Sequence, residues 1–197
     1  MFRSLMLIAL TALATTAVAQ EAKPQTLSIQ GIGQVQYLPL FEAVAEDGET
    51  ADSFVARIAP RLVAFSGETG FEACGVLGQD ANGRVSVVVG TNRSHVACAN
   101  IPSKVLEGYR PLALTLHSHG NGAASLNRND LRFLGIEQDA RSKSRNSQIY
   151  GQNRSRFSEQ DMAGSAGYLA TPEGVLHHDS RGTVRTVVAA ERVAAAP

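Results

Sequence analysis

Apolar positions recur at helical spacing in one stretch of this chain and at strand spacing in several others. Between residues 51 and 65, Phe54, Val55, Ile58, Leu62, Val63 and Phe65 fall on one helical stripe, and Asp52 or Ser53 is suited to cap its start. Pro60 lies inside this run and predicts a kink or a break, because proline removes a backbone donor and crowds the preceding turn. Ser66-Gly67-Glu68-Thr69-Gly70 reads as the end of the helix. Residues 72–77 read as a strand, and residues 84–90, where Val85, Val87 and Val89 alternate, as another. Asp80-Ala81-Asn82-Gly83 between them predicts a hairpin turn, since Asn and Gly tolerate positive φ. Residues 112–116 form a short apolar strand that delivers His117 to its end.

The remaining stretches are less regular. Residues 20–50 mix Gln, Gly, Pro and acids and read as an extended lead-in with one strand near 33–38. Residues 120–156 are polar, with a short helix expected near 130–136 and a mobile loop over 142–156. Ser158 is suited to N-cap a helix, with Asp161 in the acidic position of a capping box. Residues 168–171 and 175–177 read as strands joined by a turn at Pro172-Glu173-Gly174, and residues 184–190 as a last strand. The Ala-rich tail, residues 189–197, is expected to be disordered. Helix and strands mingle, which predicts an α+β domain, a mixed or antiparallel sheet flanked by helices.

Two features set the expected compartment. Arg3, the apolar run 5–13 and the small-x-small site Ala17-Val18-Ala19 have the form of a signal peptide over residues 1–19, cleaved near Ala19. The run is short for a membrane span and no second one follows, so a periplasmic or secreted protein without stable membrane insertion is expected. Cys74 and Cys98 are the only cysteines. An oxidising compartment favours a disulfide between them, with free thiols or a metal-ligand role as alternatives. Their spacing is wide for a two-cysteine zinc site. Acidic and basic residues balance at 18 each and tryptophan is absent, so neither charge nor a stacking platform points to nucleic acid.

The chemistry concentrates in His117-Ser118-His119-Gly120. Two imidazoles flanking one residue can reach a single cation where a strand ends or bends, and Gly120 offers backbone freedom there. Asp161 is the preferred third ligand, held at the first turn behind Ser158; Asp130 is its rival. Glu72, at the entrance of an apolar strand, is placed to act as a general base, and Ser158 to donate to a developing oxyanion. Two nitrogens, one ligating carboxylate and one proton-handling carboxylate are what a zinc hydrolase requires. His177 and His178, beside Asp179, read as exposed turn residues.

Glu72 within Glu-x-Cys-Gly-Val-Leu, His117-Ser118-His119 and Ser158-x-x-Asp161 together resemble the JAMM motif of the MPN (JAB-like) metallopeptidases, over roughly residues 51–188. Phe-Ser-Glu-Gln-Asp-Met at 157–162, followed by Gly-Tyr-Leu-Ala-Thr-Pro-Glu-Gly-Val-Leu at 167–176, is similar to a bacterial, export-associated branch of these domains. The resemblance implies a cytidine-deaminase-like fold. It also implies Zn2+ held by His117, His119 and Asp161, Glu72 shuttling protons, and Ser158 stabilising the oxyanion. The implied reaction is hydrolysis of amide or isopeptide bonds in a peptide or protein substrate. Cys74 occupies a motif position, so Cys98 carries the disulfide expectation. The chain departs from the family in one respect: residues 120–157 separate the motif halves. At the family's usual short spacing Asn127 would stand in the serine position and Asp130 in the aspartate position. Ser158 and Asp161 are preferred because that pair keeps the serine and precedes the strand-turn-strand text. A non-catalytic MPN-like binding module and a secreted toxin or effector domain are the alternatives.

Overall fold

The computed structural model describes residues 23–120, 123–135, 148–150 and 153–189. The expected signal peptide lies outside the described residues, as does the tail beyond Ala189. In chain order the elements are β1 (Gln25–Ile29), β2 (Gly33–Val44), α1 (Ala51–Thr69), β3 (Ala73–Gln79), β4 (Val85–Thr91), β5 (Arg110–Ser118), β6 (Ala123–Ser125), α2 (Arg128–Phe133), β7 (Gln148–Tyr150), α3 (Glu159–Met162), β8 (Gly167–Thr171), β9 (Gly174–His178) and β10 (Val184–Ala189). Eight strands form one mixed sheet in the order β1-β2-β4-β3-β5-β8-β9-β10, and β6 pairs with β7 in a separate ribbon. The chain is thus a single α+β domain.

Only β5 and β8 pair in parallel; every other neighbour in the large sheet is antiparallel. A parallel pair needs a long crossover. That crossover is the polar stretch between His119 and Gly167, and it carries β6, α2, β7 and α3. The helix expected near 130–136 sits a little earlier, at Arg128–Phe133, because Asn127 caps it. Within the expected loop 142–156, residues 148–150 are a strand, whereas 142–147 and 151–152 lie outside the described residues.

The helix α1 covers one face of the sheet. Phe54, Val55, Ile58 and Leu62 pack on Leu77, Val85, Val87, Val89, Leu116 and Tyr168. Its N-cap is Thr50, whose hydroxyl accepts from the Ser53 amide, so the helix begins earlier than Asp52 or Ser53 would set it. Asp52 is thereby free to bind Arg185 of β10 and the Tyr168 hydroxyl. Pro60 neither ends nor divides α1, which runs on to Thr69. The missing donor is tolerated because the apolar stripe on both sides of it remains packed in the core. Gly70, at φ 76, closes the helix in the left-handed conformation and donates to the Ser66 carbonyl.

The segment expected as a lead-in belongs to the sheet: β2 pairs with β4 along most of its length. A register shift between Pro39 and Phe41 changes which residues face α1. Tyr37 lies against Gly90 on the far face, while Phe41 and Ala43 pack toward the α1 core. That switch breaks the alternation and hides the second half of the strand from a period-two reading. The hairpin between β3 and β4 forms as expected, with Gly83 at φ 86 and Asp80 Oδ1 accepting from the Asn82 and Arg84 amides.

Candidate metal centre

Strand alternation builds the site. Residues two apart on a strand share a face. Ala73, Leu77 and Leu116 point into the α1 core. Glu72, Cys74, Thr115 and His117 therefore project from the opposite face, where β9 adds His178. His117 is in the last turn of register of β5, opposite Cys74, and His119 follows one residue past the strand end. The shared face alone brings the two imidazoles together, so no glycine-driven bend is needed. Gly120 has a different role: a Cβ there would stand 2.0 Å from the Gly70 carbonyl oxygen, so the chain after His119 presses directly on the end of α1.

Three ligating groups converge. His117 Nε2 lies 3.2 Å from His119 Nε2. Asp161 reaches both, with Oδ2 at 3.2 Å from His119 Nε2 and Oδ1 at 3.4 Å from His117 Nε2. His117 and His119 are buried and Asp161 is half-buried, and this His-His-Asp group can hold a metal ion. His119 Nδ1 is 3.1 Å from the Asn153 carbonyl. A carbonyl only accepts, so Nδ1 carries a proton and Nε2 is the nitrogen that faces the cluster and can ligate once it is deprotonated. Ser158 forms the expected capping box with Asp161: its amide donates to Asp161 Oδ2 at 2.8 Å and its hydroxyl at 2.7 Å. The box aims the carboxylate at the histidines.

Two of the three groups are held in the form that ligates. Burial pushes His117 down, against the pull of the Asp161 carboxylate, and so favours its neutral form. Burial alone would push Asp161 up, but hydrogen bonds with His117 and His119 outweigh it and hold the carboxyl far below the usual range. For His119 burial acts downward and is outweighed by Asp161, Glu72 and the Asn153 carbonyl, so its pKa is raised. A metal ion must displace that proton, which makes binding weaker in acid.

Glu72, 5% exposed, lines the same cavity as the three ligands and Ser158, a space of about 220 Å3. One wall is the segment after β4, including Val96, Ala97 and Cys98. Cys74 and Cys98 are disulfide-bonded, which ties this wall to β3 beside Glu72. Asp130 is placed elsewhere. It is 0% exposed, with Oδ1 accepting from Ser94 Oγ and the His95 amide, and Oδ2 from the Asn127 amide and facing His95 Nδ1. Asn127 and Asp130 do form a capping box like that of Ser158 and Asp161, but theirs fastens α2 to residues 94–95.

Three neighbours of the centre were not legible as such in the sequence. Asn153 sets the His119 tautomer. Phe157 lies between two histidines, with ring centroids 5.9 Å from His117 and 4.6 Å from His178. His178 is not exposed, as expected of a turn residue, but 2% exposed at the end of β9 and part of the cavity lining. Its alternation from Val175, a core residue, carried that signal. His177, on the other face, packs its ring on Tyr168. No family model, curated protein or solved structure matches this chain.

Proposed function

We propose that this protein is an exported zinc-dependent hydrolase of amide or isopeptide bonds, of the JAMM metallopeptidase kind. The observation that carries the reading is the spacing of the ligand atoms. A tetrahedral zinc with bonds of about 2.0–2.1 Å needs neighbouring ligands about 3.3–3.4 Å apart. His117 Nε2 and His119 Nε2 stand 3.2 Å apart, close to that demand, and Asp161 faces the pair with one oxygen toward each, Oδ2 at 3.2 Å from His119 and Oδ1 at 3.4 Å from His117. Two nitrogens and one carboxylate leave a coordination position open, the pattern of catalytic rather than structural sites. When bound, zinc supplies Lewis acidity and a water acidified toward neutral pH.

The chain's own groups supply the rest. Glu72 takes the proton of the attacking water and delivers it to the leaving nitrogen; its burial beside His119 suits that exchange. Asp161 is aligned by Ser158. The one hydroxyl proton of Ser158 goes to Asp161 in this arrangement, so donating to an oxyanion requires it to turn from that bond. The disulfide-tied wall supports an oxidising destination, in accord with the signal-like N-terminus, and no helix among the described residues is long and apolar enough to cross a membrane. A peptide or protein substrate follows from the reaction class.

The test is turnover of a mixed-sequence peptide library by the zinc-loaded chain. Glu72→Gln is expected to keep zinc and lower kcat by about 10²–10⁴-fold. Full turnover by that variant contradicts the mechanism. The engagement of the Ser158 hydroxyl favours a second reading, a metal-bearing binding module, which predicts stoichiometric zinc and no turnover of any peptide.

A further inference from the structure

We infer that Thr115, Gly167 and His178 form a recognition notch in which His178 Nε2 accepts a hydrogen bond from an N–H of the bound molecule. Two registers define it. Thr115 of β5 pairs with Gly167 of β8, and Gly167 pairs with His178 of β9. The three residues therefore make one row across the sheet, on the face that bears His117. The middle position has no side chain. A Cβ at Gly167 would stand 2.4 Å from Thr115 Oγ1 and 3.6 Å from His178 Nε2. The missing methyl keeps a gap between these two polar atoms, and Thr115 and His178 line the cavity shared with the ligands.

The polarity of the notch is set by one hydrogen bond. His178 Nδ1 lies 3.0 Å from the Asp179 carbonyl. That oxygen can only accept, so the neutral ring carries its proton on Nδ1 and leaves a lone pair on Nε2. Nε2 is on the Gly167 side of the ring, and His178 lines the cavity that holds the cluster. Phe157, edge-on at 4.6 Å, holds the ring in place. An acceptor fixed in direction on the wall of a cavity, beside a metal-ligating cluster, is placed to meet a donor that a ligand brings. Under the hydrolase reading that donor is a backbone or side-chain amide N–H of the substrate next to the bond that is cut. His178 is then a positioning residue: it orients the substrate and does not touch the reacting atoms. The identification of the donor as a substrate amide rests on the proposed function; the fixed acceptor does not.

The experiment follows the 15N resonances of the histidine rings in the zinc-treated chain during titration with N-methylacetamide, which has one N–H, and N,N-dimethylacetamide, which has none. The expected result is a bare Nε2 on His178 that shifts saturably with the first amide, with apparent affinity at least about fivefold weaker for the second, as one hydrogen bond implies. His178→Phe should lose the discrimination and keep zinc, while His178→Gln, whose amide oxygen can take the place of Nε2, should retain most of it. Equal response to the two amides, no response, or a protonated Nε2 overturns the notch. Zinc lost from the His178→Phe variant also overturns it, by making His178 a ligand. A library that goes uncleaved while the amides still discriminate would remove the hydrolase reading and leave the notch standing.

Discussion

At the scale of single residues, the motif text was legible because its chemistry is local, and its neighbours were not. Glu72, His117, His119, Ser158 and Asp161 stand out by type and order, and the fold brings all of them to one cavity. The choice between Asp130 and Asp161 was not decidable from spacing, since both close an N-terminal capping box. What separates them is the partner each carboxylate faces, His95 in one case and the His117–His119 pair in the other. Gly120 was recognisable as a glycine that mattered, but for the wrong reason: its contact is with Gly70, residues distant in sequence. Gly120→Ala places a methyl against that backbone carbonyl, which has no flexible end to yield. The expected cost is about 1–3 kcal/mol of stability, read as a lowered midpoint in urea unfolding. An unchanged midpoint would mean that the close approach to α1 is not a constraint.

At the scale of elements, helical periodicity and the Asp80–Gly83 turn placed α1, β3 and β4 closely, because each is stated within a few residues. The elements that eluded pattern reading depend on remote pairings. The second half of β2 is disguised by its register shift, and β6 and β7 acquire meaning only from each other. Asp52 illustrates how a cap assignment can mislead: an acid near a helix start is ordinarily a cap, yet here it joins α1 to β10. Its pKa is lowered, chiefly by the Arg185 hydrogen bonds and also by the Tyr168 hydroxyl, with burial acting the other way. A carboxylate depressed on folding contributes stability that is complete above its unfolded pKa of about 3.9 and is lost as pH falls through the lower folded value. The pair is partly exposed, so solvent screening keeps its contribution under about 1 kcal/mol. Asp52→Asn should be slightly less stable than the parent at pH 6, and the difference should close toward pH 3. A gap of equal size at both pH values would show that the ion pair is not its source.

At the scale of the whole molecule, the sheet divides the work. One face is buried by α1 and holds the domain together; the other carries the histidines that can hold a metal, the buried glutamate and the disulfide-tied wall. The long crossover between the parallel strands β5 and β8 returns Asp161 to the histidines, so the polar stretch between the two histidines and Ser158 is also the one that completes the cluster. An α+β domain with a mixed sheet was expected from the mingling of helix and strand patterns, whereas the strand order could not be read without the pairings themselves. The most direct measurement is the metal content of the tag-free chain beside His117→Ala, Asp161→Ala and Asp130→Ala. The account predicts about one zinc per chain, as a single open site implies, lost in the first two variants and kept in the third wherever that variant folds. Zinc that persists without Asp161, or a folded parent that takes up none when zinc is supplied, would contradict it.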